Sequence, residues 1–156
     1  YDDHLRVVPT NIGWRADGCN VMGRGVARQA AERCPELAEW YGGQCRKMSK
    51  AGRTLLAYFK PGDLVMLPVK PLDEIQPHLS WRGEADPVLV ERSIMQLAKT
   101  YFMRDVVLPL VGCGNGGLDP AVVIPVLKDY LRTDNFTLVL TPASFRELVI
   151  VKALLP

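Results

Sequence analysis

Histidine is nearly missing from this chain: only His4 and His78 occur in 156 residues. A histidine-rich metal site is therefore hard to assemble from it, and no metal or other cofactor is expected. The four cysteines, Cys19, Cys34, Cys45 and Cys113, form no CxxC pair, and none stands at zinc-ligand spacing from a histidine. Reduced thiols in an intracellular setting are expected. No apolar run approaches the ~20 residues that span a bilayer, and the first residues lack a signal-peptide pattern, so no membrane partner is expected and the expected location is cytoplasmic. Charge of one sign is lacking too, with 19 basic against 17 acidic residues and a formal net charge of +2. That balance argues against a polybasic partner surface by default, yet leaves room for a local site that takes a small anion.

What is present suits a layered α/β protein. With 48% hydrophobic residues, 156 residues support one core and not two comfortable domains, so a single domain over residues 1–156 is expected. The start at Tyr1 without methionine, followed almost at once by a strand-like run, is consistent with missing N-terminal residues. The run Leu5 to Thr10 predicts a strand, and VARQAAERC a helix that Pro35 interrupts. ELAEWYGGQC predicts one or two helical turns ending at Gly42-Gly43. TLLAYFKPGDLVMLPV predicts an antiparallel hairpin about Pro61-Gly62. Residues 70–83 are proline-rich and aperiodic and predict a long irregular connection. Asp86-Pro87 and Asp119-Pro120 each predict a capped helix start, since aspartate caps and proline fits the first turn. VVLPLV reads as a buried strand, FTLVLT as another, and residues 142–155 as a closing helix or a helix plus a strand.

Two glycine loops interrupt this pattern, each leaving a predicted strand and entering a predicted helix. The first is GCNVMGRGVA, Gly18 to Ala27, and the second is GCGNGGL, Gly112 to Leu118. Successive backbone N–H groups in such turns converge on an oxyanion, and a helix N-terminus adds unpaired donors and a favourable dipole. Two cradles facing one cleft would suit a diphosphate. Neither is a Walker loop, because no glycine-lysine-serine/threonine sequence follows, and neither combines GxGxxG spacing with the later ribose-binding acid of a dinucleotide-binding fold. The plainer reading is that Gly23 and Gly25 allow helix packing and that Gly112 to Gly117 turn the chain.

The two loops together resemble those of the macro domain family, which binds ADP-ribose. VMGRGVARQ resembles the loop and helix start beneath the distal ribose. VVLPLVGCGNGGLD resembles the second phosphate loop of the branch with the terminal ADP-ribose protein glycohydrolase and the antitoxin that removes ADP-ribose from DNA bases. The resemblance implies a three-layer α/β/α fold with a mixed central sheet, and a ligand at the strand ends. It implies ligand contacts from Asn11, Asn20, Val21, Met22, Gly23, Gly25 and Val26 on the first side. On the second side it implies contacts from Gly112, Cys113, Gly114, Asn115, Gly116, Gly117 and Leu118. It further implies a metal-independent glycohydrolase, with Lys70 as nucleophile and Asp119 as general acid or base, acting on an ADP-ribosylated protein or nucleic-acid base. Lys60 is a competitor for the lysine role. A module that binds ADP-ribose without cleaving it and a phosphatase acting on ADP-ribose 1''-phosphate stay open beside it. The sequence departs from the family pattern in its longer first loop, in Asn20 where glycine is common, and in lacking the early Gly-Asp-Ile segment.

Some residues carry two readings. Asp119 is as well explained by helix capping as by proton transfer. Trp14 and Trp81, in predicted loops, are expected to be contact rings, whereas Tyr101, on a predicted helix, is expected to be in the core or partly buried. Cys113, with no histidine partner placed by the sequence, is expected to be a small packed residue. If the target is DNA, Arg15, Arg24, Arg46, Lys47, Lys50 and Arg53 are candidates for backbone contacts.

Overall fold

A computed structural model describes residues 3–141. Strand β1, Leu5–Asn11, leads through the first glycine loop to helices α1, Gly25–Arg33, and α2, Leu37–Lys50. Strands β2, Ala57–Phe59, and β3, Leu64–Lys70, form the expected antiparallel hairpin, with Asp63 in the left-handed region at its turn. Helix α3, Pro87–Thr100, then strand β4, Val106–Pro109, helix α4, Pro120–Tyr130, and strand β5, Phe136–Val139, complete the described chain. The expectation for residues 142–155 lies outside the described residues.

The sheet order is β2-β3-β1-β4-β5, with β2 antiparallel and the remaining pairs parallel. Alternation along the strands fills two cores. Leu5 and Val7 of β1 and Val65, Leu67 and Val69 of β3 pack with Val90, Ile94 and Leu97 of α3 and with Val123, Ile124 and Leu127 of α4. Val8, Leu64 and Met66 face the other way, toward Ala30 of α1 and Leu37, Tyr41 and Cys45 of α2. A central strand covered on both faces has to be apolar at every position, which is why LVMLPV reads as one unbroken run. The result is the expected α/β/α sandwich with a mixed sheet.

One expectation fails. Gly42-Gly43 does not end α2, which runs on to Lys50. A Cβ on Gly42 would overlap the Gly18 carbonyl oxygen and crowd the Asn20 amide, so glycine at this position lets the first loop lie on the helix. Neighbour packing, and not helix termination, accounts for the residue.

The strands part at their carboxyl ends. β1 and β4 pair only through Leu5 and Arg6, and Pro9 has no N–H with which to extend a ladder. Between β1 and β3 the register slips after Thr10, so that Asn11 stands opposite Lys70 while the Val69 carbonyl accepts the Asp86 N–H at 2.9 Å. Pro68, likewise without a donor, precedes the slip. The chain leaves β1 toward α1 on one face and β4 toward α4 on the other. In an open α/β sheet this divergence makes a crevice.

Candidate functional site

A cleft of about 510 Å³ opens at these strand ends, a size suited to a small ligand. Its floor is Pro9, Thr10 and Asn11 of β1 and Val69 and Lys70 of β3, and its sides are the two glycine loops. The loops approach each other: a Cβ on Gly25, at φ +57, would lie 3.0 Å from Asn115 Nδ2. Glycine is needed there both for the backbone angle and for the close approach. In the second loop Gly112, at φ +77, accepts the Leu118 N–H at 3.0 Å, and a Cβ on Gly116 would overlap the Gly112 carbonyl. That loop is a tight hydrogen-bonded turn.

The first loop is held from beneath by two buried asparagines. Asn20 Nδ2 donates to the Asn11 carbonyl at 3.0 Å, to Asn11 Oδ1 at 3.1 Å and to the Gly13 carbonyl at 2.8 Å. Asn11 Nδ2 donates to the Val21 carbonyl at 2.9 Å, and its Oδ1 also accepts the Gly13 N–H at 3.0 Å. Both side chains therefore serve to shape the loop. Gly13 in turn carries residues 71–86, because a Cβ on it would overlap the Pro77 carbonyl and Ser80.

That connection brings Trp81 and Arg82 to the cleft wall. Lys70 Nζ donates to the Trp81 carbonyl at 2.7 Å. The guanidinium of Arg24 lies 5.6 Å from the Trp81 ring centre and that of Arg82 5.5 Å, within cation–π range. Burial, and then the neighbouring Arg24 charge, hold the Lys70 amine below the ordinary lysine range. Among the described residues the wall thus carries three cations, Arg24, Lys70 and Arg82, and no carboxylate. Among the described residues none of the three is in an ion pair, and no three His, Cys, Asp or Glu side chains converge as a metal cluster. Chemically, clustered cations beside two glycine loops and a half-buried amine suit an oxygen-rich anion.

No protein-family model and no curated protein matches the sequence. Solved structures do match. The macrodomain of Mycobacterium tuberculosis DarG superposes with a TM-score of 0.66 at 23% identity, over 90% of this chain and 89% of that one. The macrodomain of Thermus aquaticus DarG gives 0.63 at 23% identity, over 90% and 89%. This chain has the macro-domain fold. Thermosipho africanus DarTG in complex with ADP-ribose gives 0.67 at 18% identity over 88% of this chain, which spans only 38% of that longer one.

Within the macro-domain fold the expected residues fall into two sets. Asn11, Val21, Met22, Gly23, Gly25 and Val26 line the cleft from the first side, and Gly112, Gly114, Asn115 and Gly116 from the second, with Lys70 between them. Asn20, Cys113, Gly117, Leu118 and Asp119 are not in its lining. Asn20 lies beneath the first loop, and Cys113 and Leu118 pack against the core. Asp119 is exposed, with Oδ1 accepting the Ala121 N–H at 2.9 Å as the cap of α4. Lys60 is exposed in the β2–β3 turn, at the opposite end of β3 from Lys70.

Of the candidate phosphate contacts, only Arg24 lines the cleft, while Arg15 pairs with Asp17 at 3.5 Å. Trp14 corrects its expectation by packing against the α1/α2 core, whereas Tyr101 packs as expected. Arg82 was not foreseen. Its only sequence signal is its place beside Trp81 in SWRG, a loop whose fold back to Lys70 depends on Gly13. Among the described residues no helix is long and apolar enough to cross a membrane.

Proposed function

We propose that this chain is an ADP-ribosyl glycohydrolase that removes ADP-ribose from a modified protein or nucleic-acid base, with Lys70 as nucleophile and Asp119 as proton carrier. The observation that carries the reading is the cleft wall, which combines two glycine loops with three cations, one of them the Lys70 amine with its lowered pKa, and among the described residues has no carboxylate to repel a diphosphate. The ADP-ribose in the complex of the similar DarTG supports the choice of ligand. The resemblance of the second glycine loop to the branch that acts on DNA bases keeps a nucleic-acid target beside a protein one.

In this mechanism the neutral Lys70 Nζ gives its lone pair to the anomeric carbon of the distal ribose. The bond from that carbon to the target breaks, and its electron pair leaves on the target atom, which takes the proton released by Nζ, carried by Asp119. The nitrogen lone pair then forms a C=N bond as the ring oxygen leaves and is protonated. Water adds to the imine carbon, the amine departs, and free ADP-ribose results. Asp119 Oδ1 is committed to the helix cap, so Oδ2 is the oxygen assigned to proton transfer. A lysine is a competent nucleophile only when neutral, which a lowered pKa favours near neutral pH.

The exposed position of Asp119, outside the cleft lining, favours a second reading in which the site binds ADP-ribose without cleaving it. The deciding experiment incubates the protein with serine-, glutamate- and thymidine-linked ADP-ribose and with ADP-ribose 1''-phosphate, and separates the products by mass spectrometry. Release from a glycosidic linkage that is lost in Lys70→Ala establishes the hydrolase. Binding of ADP-ribose with no release from any linkage establishes the reader, and phosphate release alone replaces both with a phosphatase.

A further inference from the structure

We propose that Arg24 and Trp81 are positioning residues for Lys70: the Trp81 carbonyl anchors Nζ at the cleft wall while the Trp81 ring holds the Arg24 guanidinium beside it. This deepens, and rests on, the reading of Lys70 as nucleophile. Lys70 follows the register slip at the end of β3, so the sheet supplies no rigid setting for its four-carbon stem. Its amine donates to a main-chain oxygen of the connection, at 2.7 Å. Trp81 itself is half-buried, and its ring receives both Arg24 from the start of α1 and Arg82 from its own segment. Three separate stretches of chain therefore meet at Trp81, Lys70 at its carbonyl and the two arginines at its ring.

The consequence is electrostatic. An unpaired guanidinium next to an ammonium disfavours the protonated amine, and removal of Lys70 from water acts in the same direction. The groups that face Lys70 all permit this. Asn11, opposite it on β1, is neutral; Arg24 and Arg82 are cationic; and among the described residues the cleft wall has no acidic side chain. The acids of the connection are engaged elsewhere or lie elsewhere. Asp73 Oδ1 accepts the Ile75 and Gln76 N–H groups, Asp86 Oδ1 accepts the Val88 N–H, Glu84 lies beside Gly117, and Glu74 is exposed, outside the cleft lining. A flexible Arg24 would turn to solvent, and the ring keeps it in place. Trp81 thereby does two jobs, one with its carbonyl and one with its indole.

The test is a titration of Lys70 by NMR in protein whose lysines carry ¹³C-methyl groups, read in the wild type, Arg24→Gln, Arg24→Lys, Trp81→Ala and Trp81→Phe. This readout needs neither substrate nor turnover. Arg24→Gln is expected to move the Lys70 midpoint upward by about half a pH unit or more, since removing a nearby positive charge favours the protonated amine. Arg24→Lys and Trp81→Phe are expected to restore most of the wild-type value, while Trp81→Ala follows Arg24→Gln. An unchanged midpoint in folded Arg24→Gln overturns the proposal, as does a Trp81→Ala value equal to that of the wild type.

Borohydride trapping of free ADP-ribose on the Lys70 peptide is run in parallel and tests the nucleophile reading separately. A shifted midpoint with no trapping leaves Arg24 and Trp81 as positioning residues of an amine that does not attack. Trapping with no shift leaves the nucleophile and removes its proposed supports.

Discussion

Gly42, in the middle of α2, lies directly under Gly18, so close that any side chain would run into the Gly18 carbonyl oxygen. The first glycine loop thus rests on a helix with a gap cut for it, and the Asn20 N–H bonds the Ala38 carbonyl of the same helix at 2.9 Å. The neighbouring Gly43 meets nothing within 4 Å. Alanine usually stabilises a helix interior over glycine by about 0.5–1 kcal/mol. Gly43→Ala is expected to gain that amount in urea unfolding. Gly42→Ala is expected to lose about 1–3 kcal/mol through overpacking and to weaken ADP-ribose binding. Equal stability of the two variants would show that the loop does not bear on the helix.

Asn20 is buried at 1% exposure, with three oxygens around its Nδ2. Its own Oδ1 has no hydrogen-bond partner among the described residues, so donation and not acceptance is its work. Asn20→Ala is expected to cost about 1–3 kcal/mol, because buried acceptors lose their donor. Asn20→Asp, which presents oxygen to oxygen, is expected to cost more. Calorimetric melting of the two variants orders them.

Asp119 allows its two roles to be separated by one pair of substitutions. Asparagine caps a helix as well as aspartate does but has no carboxyl to relay a proton, while alanine does neither. Asp119→Asn is expected to keep wild-type stability and lose turnover; Asp119→Ala is expected to lose turnover and about 1 kcal/mol as well. Full turnover in a stable Asp119→Asn would leave the residue as a cap alone.

Cys45 is buried against Tyr41, and that burial pushes its thiol up to about 12 from an ordinary value of 9.0. The folded state holds this proton where the unfolded chain has released it, so stability falls with rising pH from about 9 to about 12. Cys45→Ala is expected to flatten that alkaline loss. At neutral pH, alkylation of the native protein is expected to spare Cys45 while reaching the less buried Cys19 and Cys34. Labelling of Cys45 at the same rate as the other two would show that the α1/α2 core opens readily.

Much of the fold was legible because its signals are local. Asp86-Pro87 and Asp119-Pro120 announce their helices through an N-cap bond and a preset φ, and both bonds are present, at 3.0 and 2.9 Å. LVMLPV declares a strand with no solvent face, and the glycine loops declare themselves by composition. These depend on the chain within a few residues, which is all that a single sequence exhibits directly. The α2 boundary was misread because Gly42-Gly43 has the composition of a helix end, while its cause is a loop 22 to 24 positions away.

The site was legible only in part, for the same reason. The sequence alone was sufficient to place the two glycine loops after strands, to single out Lys70 at a strand end, and to make Asp119 a helix start. Tertiary structure decided which of these share one cleft. It drew Lys70 in and left Asp119 outside, turned Asn11 and Asn20 into the loop's internal scaffold, and brought two guanidinium groups to the Trp81 ring, whose carbonyl holds Lys70. Those arrangements depend on Pro9 and Pro68 weakening the strand pairing where the sheet must open, and on Gly13 and Gly42 yielding space to distant backbone. Such effects arise from pairs of residues far apart in the chain, and only folding brings each pair together.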